Sequence, residues 1–594
     1  MRVADYIASF IAEHPQTAKT VFMVSGGGNM HLIDALGRNE QLEYVCNHHE
    51  QACAIAAEGY ARVSNKIGVA YVTTGPGGTN AITGVMGAWV DSIPMLVVSG
   101  QVKFETTISS QPELSLRQLG DQEINIVDIV RPITKYAVMV TDKHRVRYHL
   151  EKAVYEAKHG RPGPVWIDVP LDIQGAQIDP ETLEGFREPP EPVYDLRIDE
   201  IVAALKKARR PVIIAGNGIR LADAMEYFKR FLKHYPIPVL TSISGIDLID
   251  SDHNLFYGRP GILGERAANF ILQNSDLLLI LGTRMSIRII SYNWKSLARE
   301  AIKIMVDVDD NELNKKTLDI DLKVKADLKV FLSRFADKNN NKVSVSDEWY
   351  QYCQRIRSLY PIVSEEHKAS RYVSSYYFTK ILSKYVDSKD TVVTGNGTAY
   401  TSTFQVVDVR NNRVFANVGC ASMGYDLPAA IGAHYASKGR VICITGDGSI
   451  QMNIQELQTI IHYGIPVIIF VYNNNGYLSI RSTQRGYFSD NFVGEGPMSG
   501  VSIPDLVKIA KAYGLKTYRI DSNSEVDVAL REIMKMNGPI LCDLQMDPFE
   551  ALGPKVSSYK KEDGSIVSKP LEDLFPFLDR GEFAKNMIVK ITED

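Results

Sequence analysis

The stretch TGDGSIQMNIQELQTIIHYGIPVIIFVYNNNGY, residues 445–477, decides the fold. It continues the apolar run VICIT, which reads as a buried parallel strand, and it opens on a Gly-Asp-Gly turn. A helix-period segment follows, then a second apolar run, VIIFVY, that closes on Asn473-Asn474. Strand, turn, helix, strand, turn is the unit of a parallel sheet, and open parallel sheets bind ligands at the carboxyl ends of their strands. The pattern therefore sets Asp447 and Asn474 side by side on two strand ends. A carboxylate beside an amide oxygen is a hard oxygen pair, suited to Mg²⁺ that keeps waters and bridges a diphosphate. Gly446 and Gly448 let backbone N–H groups approach phosphate oxygens, and the helix start after Ser449 favours an anion. Either turn alone is only a turn; the two at this spacing are specific.

The rest of the composition bounds the answer. A chain of 594 residues holds about three or four domains. With 45% hydrophobic residues, 23% charged residues and a net charge of −4, it reads as globular, and a nucleic-acid surface is excluded as its main function. The six cysteines, Cys46, Cys53, Cys353, Cys420, Cys443 and Cys542, lack metal-ligand spacing and read as reduced thiols of a cytoplasmic protein. No leader pattern and no apolar run of about 18–20 residues argues for export or a membrane span.

Outward from the opening stretch, the same alternation recurs three times, predicting an α/β fold of three doubly wound parallel-sheet domains. The first, 1–180, carries glycine turns at Gly26–Gly28 and Gly75–Gly78 and closes on GRPGPVWIDVP. An acidic, Pro-rich linker is expected over 171–200, and a second βα set over 195–337, with PVIIAGNGI and DLLLILGTR among its strand ends. A polar linker begins at DKNNNKVSVSDEW, residues 337–349. The third set, 365–550, contains the opening stretch, and a polar, Lys-rich tail follows over 551–594.

Gly-Asp-Gly followed by Asn-Asn at this distance resembles the signature of thiamine diphosphate (ThDP) enzymes. The resemblance implies that Asp447, Asn474 and the carbonyl of Gly476 hold Mg²⁺, with Tyr477 beside them. It also implies an activating glutamate at the pyrimidine N1′, and a bulky apolar wedge that bends the cofactor so that its own 4′-amino group reaches C2. NHHEQACAIAAEGYARVSNKIGVAYVTTGPGGTNAITGV resembles the corresponding block of the acetohydroxyacid synthase (acetolactate synthase) family, which makes Glu50 the activating acid and puts Pro76 at the cofactor. Without that block, Glu50 reads as a first-turn helix acid. In ANVGCASMGYDLPAAIGA, Met423 matches the wedge and the carbonyl of Ala421 would accept from the 4′-amino group. TGNGTAY supplies Gly395, Gly397 and Thr398 to the diphosphate. In this family the glutamate and the metal come from different subunits, so active sites across the dimer interface of a homo-oligomer are expected.

Four departures bear on the substrates. The family's Gln-His after Gly-x-Gly is Thr398-Ala399. Its Phe-Gln-Glu is Asp121-Gln122-Glu123, which keeps the active-site glutamine, Gln122, and loses an aromatic wall. A pocket-shaping Trp is Thr483. The tail, SKPLEDLFPFLDRGEF, looks like those of acetolactate synthase-like proteins of surface-sugar pathways. Relatives bind FAD in the middle domain without redox use, and Gly216, Gly218, Gly282, Arg284, Arg288 and Asp327 fit such a site, although the family's Met-His-Gly is Glu265-Arg266-Ala267. A lone G-x-G is weak, so an empty structural domain is the other reading. The expected activity is a ThDP- and Mg²⁺-dependent carboligase that decarboxylates a 2-oxo acid, pyruvate, and passes the two-carbon unit to a carbonyl acceptor. A keto-sugar acceptor, C–C hydrolysis and simple 2-oxo acid decarboxylation are the alternatives; a cofactor-binding protein without catalysis is disfavoured by Glu50, Met423, Asp447 and Asn474 together.

Overall fold

A computed structural model describes the chain except for residues 338–342, 561–562 and 593–594. Among the described residues, three parallel sheets carry the fold, with one short antiparallel hairpin near the carboxyl end. The first sheet holds β1 (Thr17–Met23), β2 (Glu43–Cys46), β3 (Ile67–Val72), β4 (Met95–Gln101), β5 (Tyr136–Met139) and β6 (Pro164–Pro170) in the order β2-β1-β3-β4-β6-β5. The second holds β7 (Pro211–Ala215), β8 (Val239–Thr241), β9 (Leu277–Leu281), β10 (Ile302–Asp307) and β11 (Leu322–Lys325) in the order β11-β10-β9-β7-β8. The third holds β12 (Thr391–Thr394), β13 (Arg413–Ala416), β14 (Val441–Gly446), β15 (Val467–Asn473), β16 (Lys516–Ile520) and β17 (Ile540–Gln545) in the order β13-β12-β14-β15-β17-β16.

In each sheet the order reverses at the first strand, which has neighbours on both sides, and a crevice opens there. The reversals lie between β1 and β3, between β7 and β9, and between β12 and β14. The expected cofactor glycines sit at these points because the inner strands are almost wholly apolar. VIIFVY in β15 buries every residue, so polar groups are confined to the turns at the strand ends. The helix Glu456–His462 stops where Gly464 takes a left-handed φ of +60°, just before Pro466, and the chain re-enters the sheet at Val467.

The first and third domains pack through the helices Glu50–Ser64 and Asp426–Ser437. A methyl group on Gly59 would stand 2.5 Å from the carbonyl of Ala429, and one on Gly432 would stand 1.9 Å from the carbonyl of Ala56. Glycine at both positions is what lets the two backbones approach.

Three expectations change. Residues 171–178 are not linker: Ile178 donates to the carbonyl of Met1 and Gln174 to that of Gly28, which ties this segment to the first domain. The polar linker begun at 337–349 lies partly outside the described residues, and its end is already the helix Asp347–Leu359, whose Trp349, Cys353 and Ile356 are buried in the middle-domain core. The tail is not merely polar. Leu571 and Phe583 join that same core, and Arg266, Asn269 and Gln273 bond to residues 571–576. Charged residues surround these few apolar anchors in the sequence and hide them there, although Glu572 and Asp573 are themselves buried.

Candidate active site

Parallel pairing of β14 with β15 brings the two turns together. Asp447 donates its N–H to the carbonyl of Tyr472 at 3.1 Å. Its Oδ2 accepts from Gly476 N at 3.0 Å and its Oδ1 from Gly448 N at 2.8 Å. Burial pushes the Asp447 carboxyl up to about 7, against the pull of those N–H groups. Asn474 is buried and its Oδ1 has no hydrogen-bond partner. A buried carboxylate and an unsatisfied amide oxygen on neighbouring turns are costly in an apolar setting, and a hard divalent cation would satisfy both. Gly476 has φ +132°, and a Cβ there would meet the Glu495 carbonyl at 2.1 Å, so this turn needs glycine. The donor set thus fits Mg²⁺.

The neighbouring glycines divide into packed and open positions. A Cβ on Gly395 would collide with Asp426 Oδ1 at 1.6 Å, and one on Gly448 with the Tyr477 ring at 2.2 Å. Gly397 and Gly446 instead face open space, meeting only Ser479 Oγ at 3.6 Å and Ser449 Cβ at 4.0 Å. Gly397 also opens the ten-residue helix Gly397–Val406, whose first N–H groups, Thr398 among them, point toward that space. Open glycine backbone at the start of a helix suits a phosphate group. The Ser449 hydroxyl is engaged elsewhere, donating to Asp426 Oδ2 at 2.8 Å and accepting from Gly424 N at 3.0 Å.

The bond to Gly424 holds one end of the loop carrying Ala421 and Met423. Ala421 has φ +51°, a conformation most side chains avoid. Its carbonyl accepts from Asn396 Nδ2 at 3.2 Å, which ties the loop to the diphosphate glycines. Met423 is half-buried.

Glu50 lies at the start of its helix, but the cap is His49, whose ring accepts from Gln51 N at 3.1 Å. The Glu50 carboxylate is buried and accepts from Asn80 Nδ2 at 3.0 Å, on the helix that Pro76 begins. Among the described residues no hydrogen bond joins Glu50 to the third domain, whereas its neighbour Gln51 accepts from Asn453 Nδ2 at 2.9 Å. Gln122, exposed and at φ +59°, brings its carbonyl within 2.0 Å of where a Gly75 Cβ would stand, next to Pro76. Thr483 is exposed on the helix Leu478–Phe488, beside exposed Ile480, Tyr487 and Phe488.

The middle domain holds a cavity of about 330 Å³ at its own strand reversal. Gly218, Gly282, Arg284 and Asp327 line it, together with Asn217, Asp307 and Arg161. Gly218 N donates to Gly282 O at 2.9 Å, so the two glycine turns brace each other, and Gly216 is packed beneath them. Asn217 Oδ1 is buried without a partner, and burial pushes the Asp307 carboxyl up to about 6. These groups suit a nucleotide. Arg288 does not line the cavity but reaches the Tyr400 ring of the third domain, 5.5 Å from its centroid. Glu265 and Arg266 also turn away, to Arg259 and to the tail.

Sequence reading missed Asn396, Asn453 and Asp426, which hold the loops, and Asp91, which holds a loop and also lines the middle-domain cavity. Asn396 follows Gly395, Asp426 lies three residues past Met423 and Asn453 lies within the 445–477 stretch, so only Asp91 stood outside the quoted motifs.

Comparison with known proteins places these features in one family. Residues 1–126 match the model "Thiamine pyrophosphate enzyme, N-terminal TPP binding domain", 198–335 the central domain, and 395–544 the C-terminal TPP binding domain. The chain is 31% identical over 553 residues to the acetolactate synthase large subunit of Lactococcus lactis, covering 92% of this chain and 93% of the relative. It is 32% identical over 568 residues to the probable acetolactate synthase large subunit of Methanococcus aeolicus, covering 90% and 91%. To the acetolactate synthase isozyme 2 large subunit of Escherichia coli it is 30% identical over 567 residues, covering 94% and 97%.

Proposed function

The chain belongs to the thiamine pyrophosphate enzymes of the acetolactate synthase large-subunit family, and from that membership we propose a ThDP- and Mg²⁺-dependent carboligase that decarboxylates a 2-oxo acid, pyruvate, and transfers the two-carbon unit to a carbonyl acceptor. The observation that carries the reading is the buried Asp447 carboxylate beside the unsatisfied Asn474 amide oxygen. With Gly476 they would hold the cation, and the cation would hold the diphosphate over Gly397 and Gly446. Bound ThDP supplies the carbon that adds to the oxo group and stores the electron pair freed with CO₂.

The chain's own residues do the rest. Met423 and the Ala421 carbonyl would fix the bend of the cofactor, and Glu50 would hold a proton at N1′. The family resemblance implies a site that draws its glutamate from one chain and its metal residues from another, and we place Glu50 in such a site, completed by a partner subunit of a homo-oligomer. Gln122 would orient the substrate. FAD, or its nucleotide portion alone, is proposed for the middle-domain cavity, held by Gly218, Gly282, Arg284 and Asp327. The reduced thiols are consistent with a cytoplasmic enzyme, and among the described residues no helix is long and apolar enough to cross a membrane.

A polar acceptor such as a keto-sugar is a second reading. Thr483 and Asp121, both exposed, stand where the family resemblance expects aromatic walls. Incubation with labelled pyruvate and a panel of acceptors, including nucleotide-linked keto-sugars, tests both readings. Labelled acetohydroxy acid supports the first and a labelled branched sugar the second. Release of labelled CO₂ with free acetaldehyde alone would contradict both.

A further inference from the structure

Asp91 ends the helix Pro76–Asp91, where a carboxylate opposes the helix dipole. The next residue, Ser92, has φ +61°, a left-handed conformation for a residue with a side chain. Neither feature favours the helix, and the compensation comes from Arg62 of the same domain and from groups of two other domains. Asp91 Oδ2 accepts from Val418 N at 2.9 Å and Oδ1 from Gly419 N at 2.9 Å. Oδ2 also accepts from Arg62 Nη2 at 2.6 Å, and Arg284 of the middle domain stands 3.8 Å from Oδ1. A Cβ on Gly419 would sit 2.7 Å from Asp91 Oδ1, so the approach needs glycine there.

Val418 and Gly419 begin the loop that carries Ala421 and Met423. The next two backbone donors are also occupied: Cys420 N donates to Asn417 Oδ1 at 3.1 Å and Ala421 N to the Asn417 carbonyl at 3.0 Å. Asp91 therefore fixes the front half of the loop and Asn417 the back half. The left-handed turn at Ala421, which aims its carbonyl, follows from both. One carboxylate of the first domain thus determines where a third-domain loop meets the cofactor.

We propose that Asp91 is a positioning residue for the cofactor loop Asn417–Met423, acting through its two bonds to Val418 N and Gly419 N. This rests on the ThDP reading above. Asp91→Asn keeps one acceptor oxygen for the two N–H groups; Asp91→Ala keeps none. ThDP affinity is measured by calorimetry with Mg²⁺, and loop placement by C2 hydrogen–deuterium exchange of bound ThDP; circular dichroism and the thermal midpoint monitor folding. A misplacement of about 1 Å costs about 10²-fold in rate. Asp91→Asn is expected to slow exchange by about 10-fold and Asp91→Ala by about 100-fold. Affinity should fall much less in both, and KM for the 2-oxo acid should stay near wild type while kcat drops. If Asp91→Ala does not fold, Asp91→Asn decides alone. Wild-type exchange in Asp91→Asn, or a loss that only parallels lost affinity or lost thermal stability, would overturn the proposal. A wild-type chain that binds no ThDP would overturn this proposal together with the reading beneath it, and that result appears in the first titration, before any variant is compared.

Discussion

Gly476 gives its backbone N–H to Oδ2 of Asp447 at 3.0 Å, joining the turns at the ends of two adjacent strands. With Gly448 N on the other oxygen, both carboxylate oxygens are held before any cation arrives. Asp447→Ala removes the carboxylate of this cluster. ThDP binding in the presence of Mg²⁺ should weaken by at least about 100-fold, roughly 2.8 kcal/mol, with a smaller loss for Asn474→Ala. Calorimetry checks both; unchanged binding in Asp447→Ala would remove the metal assignment.

If one site draws Glu50 from one chain and Asp447 from its partner, two dead variants rescue each other. Glu50→Ala and Asp447→Ala chains, mixed under conditions of subunit exchange, form dimers with one doubly defective site and one intact site. Activity should recover to a fraction of wild type. No recovery with exchange shown by mass spectrometry would place both residues in the same chain's site.

Arg266 stands where the family resemblance expects a cofactor contact, yet its guanidinium donates to the carbonyls of Leu574 and Pro576. Arg266→Ala should free the tail. Bonds from a charged donor contribute about 1.5–3 kcal/mol each. Limited proteolysis should cut within residues 571–590 much faster in the variant, with cleavage elsewhere unchanged. Equal cleavage rates would show that the apolar anchors Leu571 and Phe583 hold the tail without Arg266.

Asp168 in β6 is fully buried and is met by Ser99 Oγ at 2.5 Å and Gln101 Nε2 at 3.2 Å, and among the described residues no cationic side chain pairs with it. Burial pushes its carboxyl up to about 7. The folded state therefore keeps a proton that the unfolded chain has already lost. Stability attributable to this group falls as pH rises from about 4 toward 7, by up to about 4 kcal/mol. Asp168→Asn cannot titrate and should flatten that part of the denaturation profile. An unchanged pH slope in the variant would show that Asp168 is ionised in the folded chain.

What was legible in the sequence is what strand ends carry. Asp447, Asn474 and the glycines around them are read from two apolar runs and the turns that stop them, because a parallel sheet leaves its polar groups nowhere else. The middle-domain glycines are legible for the same reason, but Arg288 is not, since its side chain reaches another domain. Asp91 was silent because its partners, two backbone N–H groups and two arginines, are supplied by tertiary contact. Trp349 and Phe583 were hidden among charged neighbours, where local composition outweighs the few apolar anchors.

The most direct measurement is C2 hydrogen–deuterium exchange of bound ThDP in the wild type and in Glu50→Gln. The amide keeps the shape and a hydrogen bond at N1′ but cannot hold the proton there. Acid–base groups contribute about 10²–10⁴-fold in rate, roughly 3–5.5 kcal/mol of barrier. Exchange should slow by that factor while the holoenzyme still forms. A wild-type exchange rate in Glu50→Gln would contradict the account, leaving Glu50 a buried partner of Asn80 and the activating acid elsewhere.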